Sequence, residues 1–389
     1  MKRLGLLPLI AIAIVAGILV GLVAPMWLAR LMATFNGIFS NFLGFMIPLI
    51  IVGFVTPAIA GIGARAGKML VATTLLAYGF TLMSGFLSYG CCSAIFPSLL
   101  SDTSADLLAE EGAVEIEPFF TMEMAPLMGV MTALVLSFVI GLGVAFSDKE
   151  VLRNAFDELR DIVARAINVA VIPLLPVYIF GIFLNMTVVG QVASVIDCFI
   201  KIVAVIFVLH VGLLLLQYCI AGAVVGRNPL SMLRTMLPAY FTALGTQSSA
   251  ATIPVTLRQT IEMGIDRDTA GFVVPLCATI HLSGSTLKIT ACALAIMMLG
   301  GQPHDWVLFA HFIALLGVTM IAAPGIPGGA IMASIGVLES VLGFDPQAVA
   351  LMIALYIAMD SFGTACNVTG DGAIAAIIDR IFKKSPVAV

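Results

Sequence analysis

The chain has 389 residues, of which 61% are hydrophobic and 10% are charged, and its mean hydropathy is +1.14. A soluble domain usually carries about 25% charged residues, so this composition indicates an integral membrane protein. The formal net charge of −4 and the pI near 5.5 exclude the basic stripe of a nucleic-acid-binding protein. The seven cysteines show no Cys-x-x-Cys spacing and indicate neither a disulfide framework nor a zinc site.

Apolar runs of sufficient length predict eight membrane spans. The first follows Lys2 and Arg3 and reaches about residue 23. Because no small-residue cleavage site follows it, we expect it to be a retained span rather than a signal peptide. The other seven lie at about 36–62, 68–97, 124–146, 163–189, 195–225, 268–299 and 347–378. A stretch of mixed charge at 148–161 predicts an amphipathic connecting helix on the cytoplasmic side.

Two further apolar stretches, at about 235–260 and 306–340, are interrupted near their centres. The first contains Thr-Gln-Ser-Ser-Ala-Ala-Thr-Ile-Pro, and the second contains Pro-Gly-Ile-Pro-Gly-Gly. A straight helix facing lipid could not keep its backbone hydrogen-bonded through such a segment. We therefore expect two re-entrant hairpins that enter the membrane from opposite faces, as in secondary transporters built from inverted repeats.

The distribution of basic residues indicates how the chain is oriented in the membrane, because basic residues favour the cytoplasmic side. Of the 18 basic residues, all except Arg30, Lys201 and Lys288 fall in segments that lie inside when both termini are cytoplasmic. The inside residues are Lys2, Arg3, Arg65, Lys68, Lys149, Arg153, Arg160, Arg165, Arg227, Arg234, Arg258, Arg267, Arg380, Lys383 and Lys384. The segment 102–123 is acidic, without a basic residue, and is expected outside. The sequence thus predicts a multi-pass protein of the cell membrane.

The last span carries a polar stripe of Asp360, Thr364, Asn367 and Asp371, which share one helix face. An ionisable residue at the centre of a span costs about 2.5–3.5 kcal/mol, so it is a functional candidate by default. We expect Asp360 and Thr364 to hold a substrate amine or alcohol. Asp371, with carbonyls freed near Gly370, would hold a cation. The alternative is that both aspartates only pair with neighbouring helices.

The seventh span contains a polar, glycine-interrupted patch from Thr279 to Lys288. His281 is either a proton carrier or a hydrogen-bonding bridge between helices. Lys201 follows Asp197 by four residues and is expected to pair with it near the outer interface. Lys288 has no acidic neighbour on its own helix, so three interpretations stay open: it offsets Asp360, binds a substrate carboxylate, or extends to the membrane surface.

The tip of the first hairpin, at Ser248 and Ser249, places backbone N–H groups at a helix N-terminus, which suits a carboxylate. The remaining histidines, His210, His304 and His311, are expected to be structural or interfacial.

These motifs resemble the dicarboxylate/amino acid:cation symporters. The resemblance covers essentially the whole chain, and its most specific part is Asn-Val-Thr-Gly-Asp at 367–371. It implies an all-α membrane protein with eight transmembrane helices, two opposed re-entrant hairpins and an elevator mechanism, assembled as a homotrimer. The scaffold would comprise residues 1–66 and 124–190. A transport domain would comprise 67–123, whose end is the acidic extracellular loop, and 191–389, with both hairpins.

The resemblance also assigns site residues by matching position. Substrate would contact Ser248, Ser249, Ser285, Lys288, Asp360, Gly363, Thr364 and Asn367. The extracellular gate would be Gly325, Ile326, Pro327 and Gly328. One sodium ion would sit on Asp371 with carbonyls of Cys277, His281 and Asn367, and a second between Thr279 and the backbone of Met320, Ile321 and Ala323.

Two departures from the family pattern affect the expected substrate and ion. Members that carry acidic substrates have an arginine where this chain has Gly363, or, in archaeal members, where it has Gln247. Without a guanidinium, a second buried carboxylate would lack a counter-charge unless Lys288 supplies it. The seventh-helix motif Asn-Met-Asp-Gly-Thr of sodium-coupled members is here 281–285, His-Leu-Ser-Gly-Ser, and His281 could replace one coupling ion.

The sequence therefore predicts a non-enzymatic symporter that couples a small, neutral amino acid to a sodium gradient. The alternative is a proton-coupled symporter for an acidic amino acid or dicarboxylate that uses His281 and Lys288. An intramembrane aspartyl protease is disfavoured, because Asp360 and Asp371 would lie about 16 Å apart along one helix. A dedicated channel would not require a carboxylate beside a gate.

Overall fold

The computed structural model describes residues 6–62, 68–100, 116–147, 150–190, 192–321, 323 and 328–382. Throughout these residues the chain consists of helices and their connections, without a strand. The α-helices are α1 Leu6–Gly21, α2 Met26–Ile62, α3 Lys68–Leu99, α4 Val130–Ala145, α5 Val151–Ala166, α6 Ile172–Val188, α7 Val192–Val225, α8 Pro229–Thr246, α9 Ser249–Glu262, α10 Arg267–Ile280, α11 Ser283–Leu299, α12 Trp306–Ile321, α13 Gly329–Leu342, α14 Pro346–Ala358 and α15 Asp360–Phe382.

Five of the described helical stretches are long and apolar enough to cross a membrane. They are Met26–Ala60, Lys68–Leu99, Val151–Val188, Ile196–Val225 and Arg267–Leu299. The bent pair α14 and α15 would make a sixth. The predicted first and fourth spans correspond to α1 and α4, which fall among the shorter apolar helices. A multi-pass helical membrane protein is therefore confirmed, whereas the count of eight spans stays a prediction.

Several predicted boundaries are displaced. Helix α2 begins at Met26 rather than near residue 36, and α4 begins at Val130 rather than near 124. The segment before α4 is not helical and lies along α2 instead: Asn41 donates to the Met122 carbonyl over 2.6 Å, and the Phe119 N–H donates to the Thr34 hydroxyl over 2.8 Å. The expected connecting helix is α5, which continues into α6 through a π-helical turn at Ile167–Val171.

The first predicted hairpin is present as α8, a tight turn and α9. Gln247 has left-handed backbone angles (φ 53°), which end α8. Ser248 then caps α9, since its side chain accepts a hydrogen bond from the Ala251 N–H over 3.3 Å. The helices on either side of this turn pack against each other.

The second predicted hairpin consists of α12 and α13, which also pack against each other. Gly328 precedes α13 with a positive φ of 76°, a conformation that glycine adopts without strain. The predicted gate residues Gly325, Ile326 and Pro327 lie outside the described residues. So do the N-terminal basic residues and much of the acidic loop, from 101 to 115.

The last predicted span is not one straight helix, which corrects the expectation for 347–378. Helices α14 and α15 meet at Met359 with a bend of 62°. Asp345 caps α14 by accepting from the Ala348 N–H over 2.7 Å. The bend makes Asp360 the first residue of α15, at the helix N-terminus, rather than a residue in the middle of a span.

The helices pack in two groups. Helix α1 packs on α6, and α2 packs on α4, α5 and α6. Helix α15 is surrounded by α7, α8, α9, α10 and α11, while α3 packs mainly on α11. The groups meet chiefly where α13 lies against α2 and α14 against α1. A Cβ atom on Gly336 of α13 would lie 2.4 Å from Ile47 Cγ2 of α2, so this contact requires glycine.

Candidate functional site

The seventh predicted span is broken at its centre. Helix α10 ends at Ile280 and α11 begins at Ser283, with His281 and Leu282 in non-helical conformations between them. The His281 N–H donates to the Cys277 carbonyl over 2.9 Å. The break exposes the first N–H groups of α11, which need acceptors because no preceding helical turn supplies them.

Asn367 of α15 satisfies these N–H groups. Its Oδ1 accepts from the N–H of Gly284 over 2.7 Å and from that of Ser285 over 3.4 Å, and its Nδ2 donates to the Ser285 hydroxyl over 3.2 Å. Helices α11 and α15 approach closely here, because a Cβ on Gly284 would lie only 2.6 Å from the Gly363 carbonyl oxygen. Asn367 and Ser285, both predicted substrate contacts, are thus brought together and bonded to each other.

His281 and Asp371 form a buried pair. The His281 Nδ1 lies 2.9 Å from Asp371 Oδ1, and the side chains are 0% and 2% exposed. On the other side of the ring, His281 Nε2 lies 3.4 Å from Gln217 Nε2, which also donates to the Ser283 hydroxyl over 3.0 Å. The imidazole therefore connects a carboxylate of α15 with an amide of α7.

Gly370 makes room for this pair. A Cβ atom there would lie 2.6 Å from His281 Cε1 and 2.7 Å from Gln217 Oε1. We expect Gly370→Ala to push the imidazole away from Asp371 and to lower stability by about 1–3 kcal/mol, the usual cost of overpacking a buried site. Thermal unfolding in detergent measures the effect. Gly212→Ala on α7, where a Cβ meets no atom within 4 Å, is the control, and equal behaviour of both variants would contradict the prediction.

Asp360 joins three elements at the bend between α14 and α15. Its Oδ1 lies 3.0 Å from Lys288 Nζ of α11, and its Oδ2 accepts from the Gly328 N–H over 2.9 Å. Asp360 is 4% exposed and Lys288 is fully buried. Of the three sequence interpretations of Lys288, the structure shows the first: the lysine offsets Asp360 and does not extend to the membrane surface.

Lys288 makes further contacts around the same bend. Its Nζ lies 3.4 Å from the centre of the Tyr356 ring and donates to the carbonyls of Tyr356 and Met359, each over 3.4 Å. A Cβ on Gly363 would lie 2.8 Å from Nζ, so the missing side chain at 363 leaves the space that the ammonium fills. The predicted contacts Lys288, Asp360 and Gly363 therefore form one cluster.

Helix α9 of the first hairpin packs on α15. Ser249 is buried and Ser248 is half-buried. Thr252 Oγ1 donates to the Ser248 carbonyl over 2.8 Å and lies 3.0 Å from Thr246 Oγ1, which tightens the turn. Thr364, on the polar stripe of α15, is buried.

The predicted sodium ligands are only partly assembled. Cys277 is buried, but its carbonyl accepts the His281 N–H. Thr279 is exposed and its hydroxyl donates to Leu276 of its own helix over 2.8 Å. Met320 and Ala323 are buried, and Ile321 is half-buried. Within the described ranges no group of three or more His, Cys, Asp or Glu side chains could hold a metal. Since both sets depend mainly on carbonyls, the sodium sites stay predictions.

Three residues at the site were not predicted. Gln217 of α7 contacts His281 and Ser283, and Tyr356 contacts both Lys288 and the Ser285 hydroxyl, at 3.1 Å. His210, expected to be structural, has Nε2 3.0 Å from the Gly284 carbonyl at the start of α11. Gln217 and His210 lie seven residues apart on one helix face, a spacing that could have identified them. The expected pair of Lys201 and Asp197 is present, at 2.6 Å.

Comparison with known proteins identifies the family. The chain is 32% identical over 244 residues to the excitatory amino acid transporter 4 of Mus musculus, which covers 60% of this chain and 42% of that protein. It is 35% identical over 159 residues to the excitatory amino acid transporter 5 of Homo sapiens, covering 41% and 28%. The aligned part thus spans less than half of either relative. A sequence profile of the sodium:dicarboxylate symporter family matches residues 6–381, so the chain belongs to that family of membrane transporters.

Proposed function

We propose that the chain is a proton-coupled symporter for a small carboxylate solute, a dicarboxylate or acidic amino acid. The observation that carries the proposal is the buried pair of His281 and Asp371, 2.9 Å apart, at the break between α10 and α11. A proton taken up by this pair would neutralise Asp371 or charge the imidazole, and either change alters the electrostatics of the core around α15.

The oxygen atoms around Asp371 already have hydrogen-bond partners, which favours a proton rather than sodium as the coupling ion there. Asp371 faces an imidazole, Asn367 Oδ1 accepts two N–H groups, and the Cys277 carbonyl accepts a third. Sodium requires several oxygen ligands that are free to turn towards it. An imidazole that already hydrogen-bonds the carboxylate occupies a position that a cation would otherwise take.

Two features support an anionic substrate. The N-terminus of α9, with Ser248 and Ser249 at the tip of the first hairpin, offers backbone N–H groups and the positive end of a helix dipole. Lys288 neutralises Asp360, so this carboxylate does not repel an anion near the polar stripe of α15. Helix α9 packs on α15, so a carboxylate held at α9 would lie in the same group of helices as the polar stripe.

A second candidate function is sodium-coupled uptake of a small, neutral amino acid. It is favoured by the absence of a guanidinium at both Gly363 and Gln247, and by the oxygen-rich stripe of Thr364, Asn367 and Asp371. The family is described by its sodium coupling. This candidate requires Lys288 and His281 to release their carboxylates when substrate and ion bind.

The packing supports an elevator arrangement. Helices α1, α2, α4, α5 and α6 form one packed group, and α15 with its neighbours forms the other, which agrees with a scaffold at 1–66 and 124–190 and a transport domain at 67–123 and 191–389. The second hairpin, which reaches Asp360 through Gly328, would serve as the gate. We place both termini in the cytoplasm and propose a homotrimer in the cell membrane.

Uptake by purified protein in liposomes tests the proposal, with pH and sodium gradients imposed separately. We expect accumulation of a labelled carboxylate when the outside is acidic, with no sodium present. Accumulation driven only by sodium at equal pH would instead support the second candidate. Uptake that responds to neither gradient would contradict both.

A further inference from the structure

The Lys288 ammonium occupies a complete binding cage for an alkylammonium group. Its Nζ contacts Asp360 Oδ1 at 3.0 Å, the carbonyls of Tyr356 and Met359 at 3.4 Å each, and the face of the Tyr356 ring at 3.4 Å. An ammonium has three N–H donors, and this cage offers one charged and two neutral acceptors together with a π-face. The Lys288 side chain therefore occupies the position in which an ammonium contacts all of these groups.

The cage is part of the polar core rather than a distant ion pair. Asp360 begins α15, the helix that also carries Thr364, Asn367 and Asp371. Its second carboxylate oxygen accepts from Gly328, directly before α13 of the second hairpin. Tyr356 also reaches Ser285 through its hydroxyl. A solute bound between the hairpins and α15 would therefore meet the cage.

A second ammonium has no room and no counter-charge here. One oxygen of Asp360 faces Lys288 and the other faces the hairpin N–H, so both oxygens are hydrogen-bonded and the negative charge already has its cation. The missing side chain at Gly363 is already replaced by the lysine tip. An additional buried cation without its own carboxylate would carry the full cost of desolvation.

We propose that Lys288 is a specificity-determining residue: it fills the ammonium subsite from within, so the carrier accepts carboxylates without an amino group and rejects amino acids. This inference rests on the proposed function, which makes the chain a carrier of small carboxylates, and narrows its substrate class. Removing the lysine vacates the cage and leaves Asp360 in need of a cation. The substituted carrier should then favour solutes that bring an ammonium of their own.

Succinate and aspartate are suitable probes, because they share a four-carbon dicarboxylate skeleton and differ by one ammonium group. In liposomes, we expect the unsubstituted protein to take up succinate faster than aspartate by more than about tenfold at equal concentration. Lys288→Met should reverse this preference, with aspartate uptake gained. Lys201→Met, which removes a lysine from the partly exposed pair with Asp197, is the matched control and should leave the preference unchanged.

A gain of aspartate uptake cannot result from misfolding, whereas a purely structural role predicts equal loss of both probes. Equal loss, or unsubstituted protein that transports aspartate as well as succinate, would overturn the inference. The second result is obtained without any variant, so the inference remains testable if Lys288→Met does not fold.

Chemical rescue tests the cage independently of transport. In Lys288→Ala, propylammonium replaces the atoms of the side chain beyond Cβ. It should raise the melting temperature of that variant in detergent, whereas tetramethylammonium chloride at equal concentration should not. If unsubstituted protein transports neither probe but rescue succeeds, the proposed carboxylate transport is wrong while the cage stands. Absence of rescue in folded protein would overturn the cage itself.

Discussion

Replacing Asp360 with asparagine should destabilise the protein by about 3–5 kcal/mol, the usual cost of leaving one member of a buried ion pair without its partner. Lys288 is fully buried and Asp360 is its nearest charged partner, at 3.0 Å. The carbonyls and the ring that also face Nζ carry only partial charges. They cannot replace a carboxylate in an environment with little water.

The same substitution should weaken the attachment of the second hairpin. Asp360 Oδ2 accepts from the Gly328 N–H, which starts α13. An asparagine can direct its single oxygen to the ammonium or to this N–H, but not to both. We therefore expect two results: the second hairpin opens more easily, and the whole protein is less stable.

Thermal unfolding in detergent measures this loss, and two controls define its origin. Asp379→Asn is the same change on the same helix, at a buried carboxylate that accepts from the backbone N–H of Asp266 over 3.2 Å. Asp379→Asn leaves no ammonium unpaired at that contact and should lower the stability by less than Asp360→Asn does. The double variant Asp360→Asn with Lys288→Met removes both charges and should recover much of the lost stability. A double variant less stable than the single one would contradict the charge argument.

The broken seventh span and the polar stripe of the last span could be predicted because their signals are local. A glycine-interrupted polar patch in an apolar run indicates a break, and residues at 360, 364, 367 and 371 share a face by helical geometry alone. Both features are present in the structure, at His281–Leu282 and along α15.

The bend at Met359 could not be predicted, because its cause is tertiary. The preceding residues, 356–359, contain neither proline nor glycine and continue an apolar helical pattern. The carbonyls of Tyr356 and Met359 accept backbone N–H groups from Met359 and Gly363 and, in addition, the ammonium of Lys288, which is about 70 residues earlier in the chain, on α11. Local sequence therefore favours a continuous helix, and a distant ammonium favours the break.

The pairing of the ionisable groups could not be predicted from local sequence patterns either. Sequence alone left Lys288 with three interpretations and His281 with two, because each partner lies on another helix. Gln217 illustrates the same limit: a polar residue within a span is a functional candidate, but its contact with His281 depends on how α7 packs against α11.

Replacing His281 with asparagine should abolish accumulation driven by a pH gradient. Asparagine can still donate a hydrogen bond towards Asp371 from a smaller side chain, so the site stays polar. The variant has no imidazole to take up the proton. Asn is also the residue that sodium-coupled members carry at the corresponding position of the seventh-helix motif, so the substitution should expose the Asp371 carboxylate to an external cation.

The direction and the size of solute accumulation follow from the coupling of solute to protons. In the proposed mechanism, the pair of His281 and Asp371 would take up a proton from an acidic outside and release it inside, which would drive solute inwards. One coupled proton and a gradient of one pH unit supply about 1.4 kcal/mol, equal to about tenfold accumulation. In His281→Asn this accumulation should vanish, while exchange of labelled for unlabelled solute at equal pH continues.

Two measurements distinguish loss of coupling from loss of binding. Accumulation is measured in liposomes with an acidic exterior, and exchange is measured in the same liposomes at equal pH. His304→Asn is the matched control: His304 lies between α11 and α12, with its Nδ1 2.8 Å from the Gln302 carbonyl, and its replacement should leave tenfold accumulation intact. Sodium should stimulate uptake by His281→Asn if an imidazole stands in for a cation at Asp371. Full pH-driven accumulation in His281→Asn would show that the imidazole does not carry the proton.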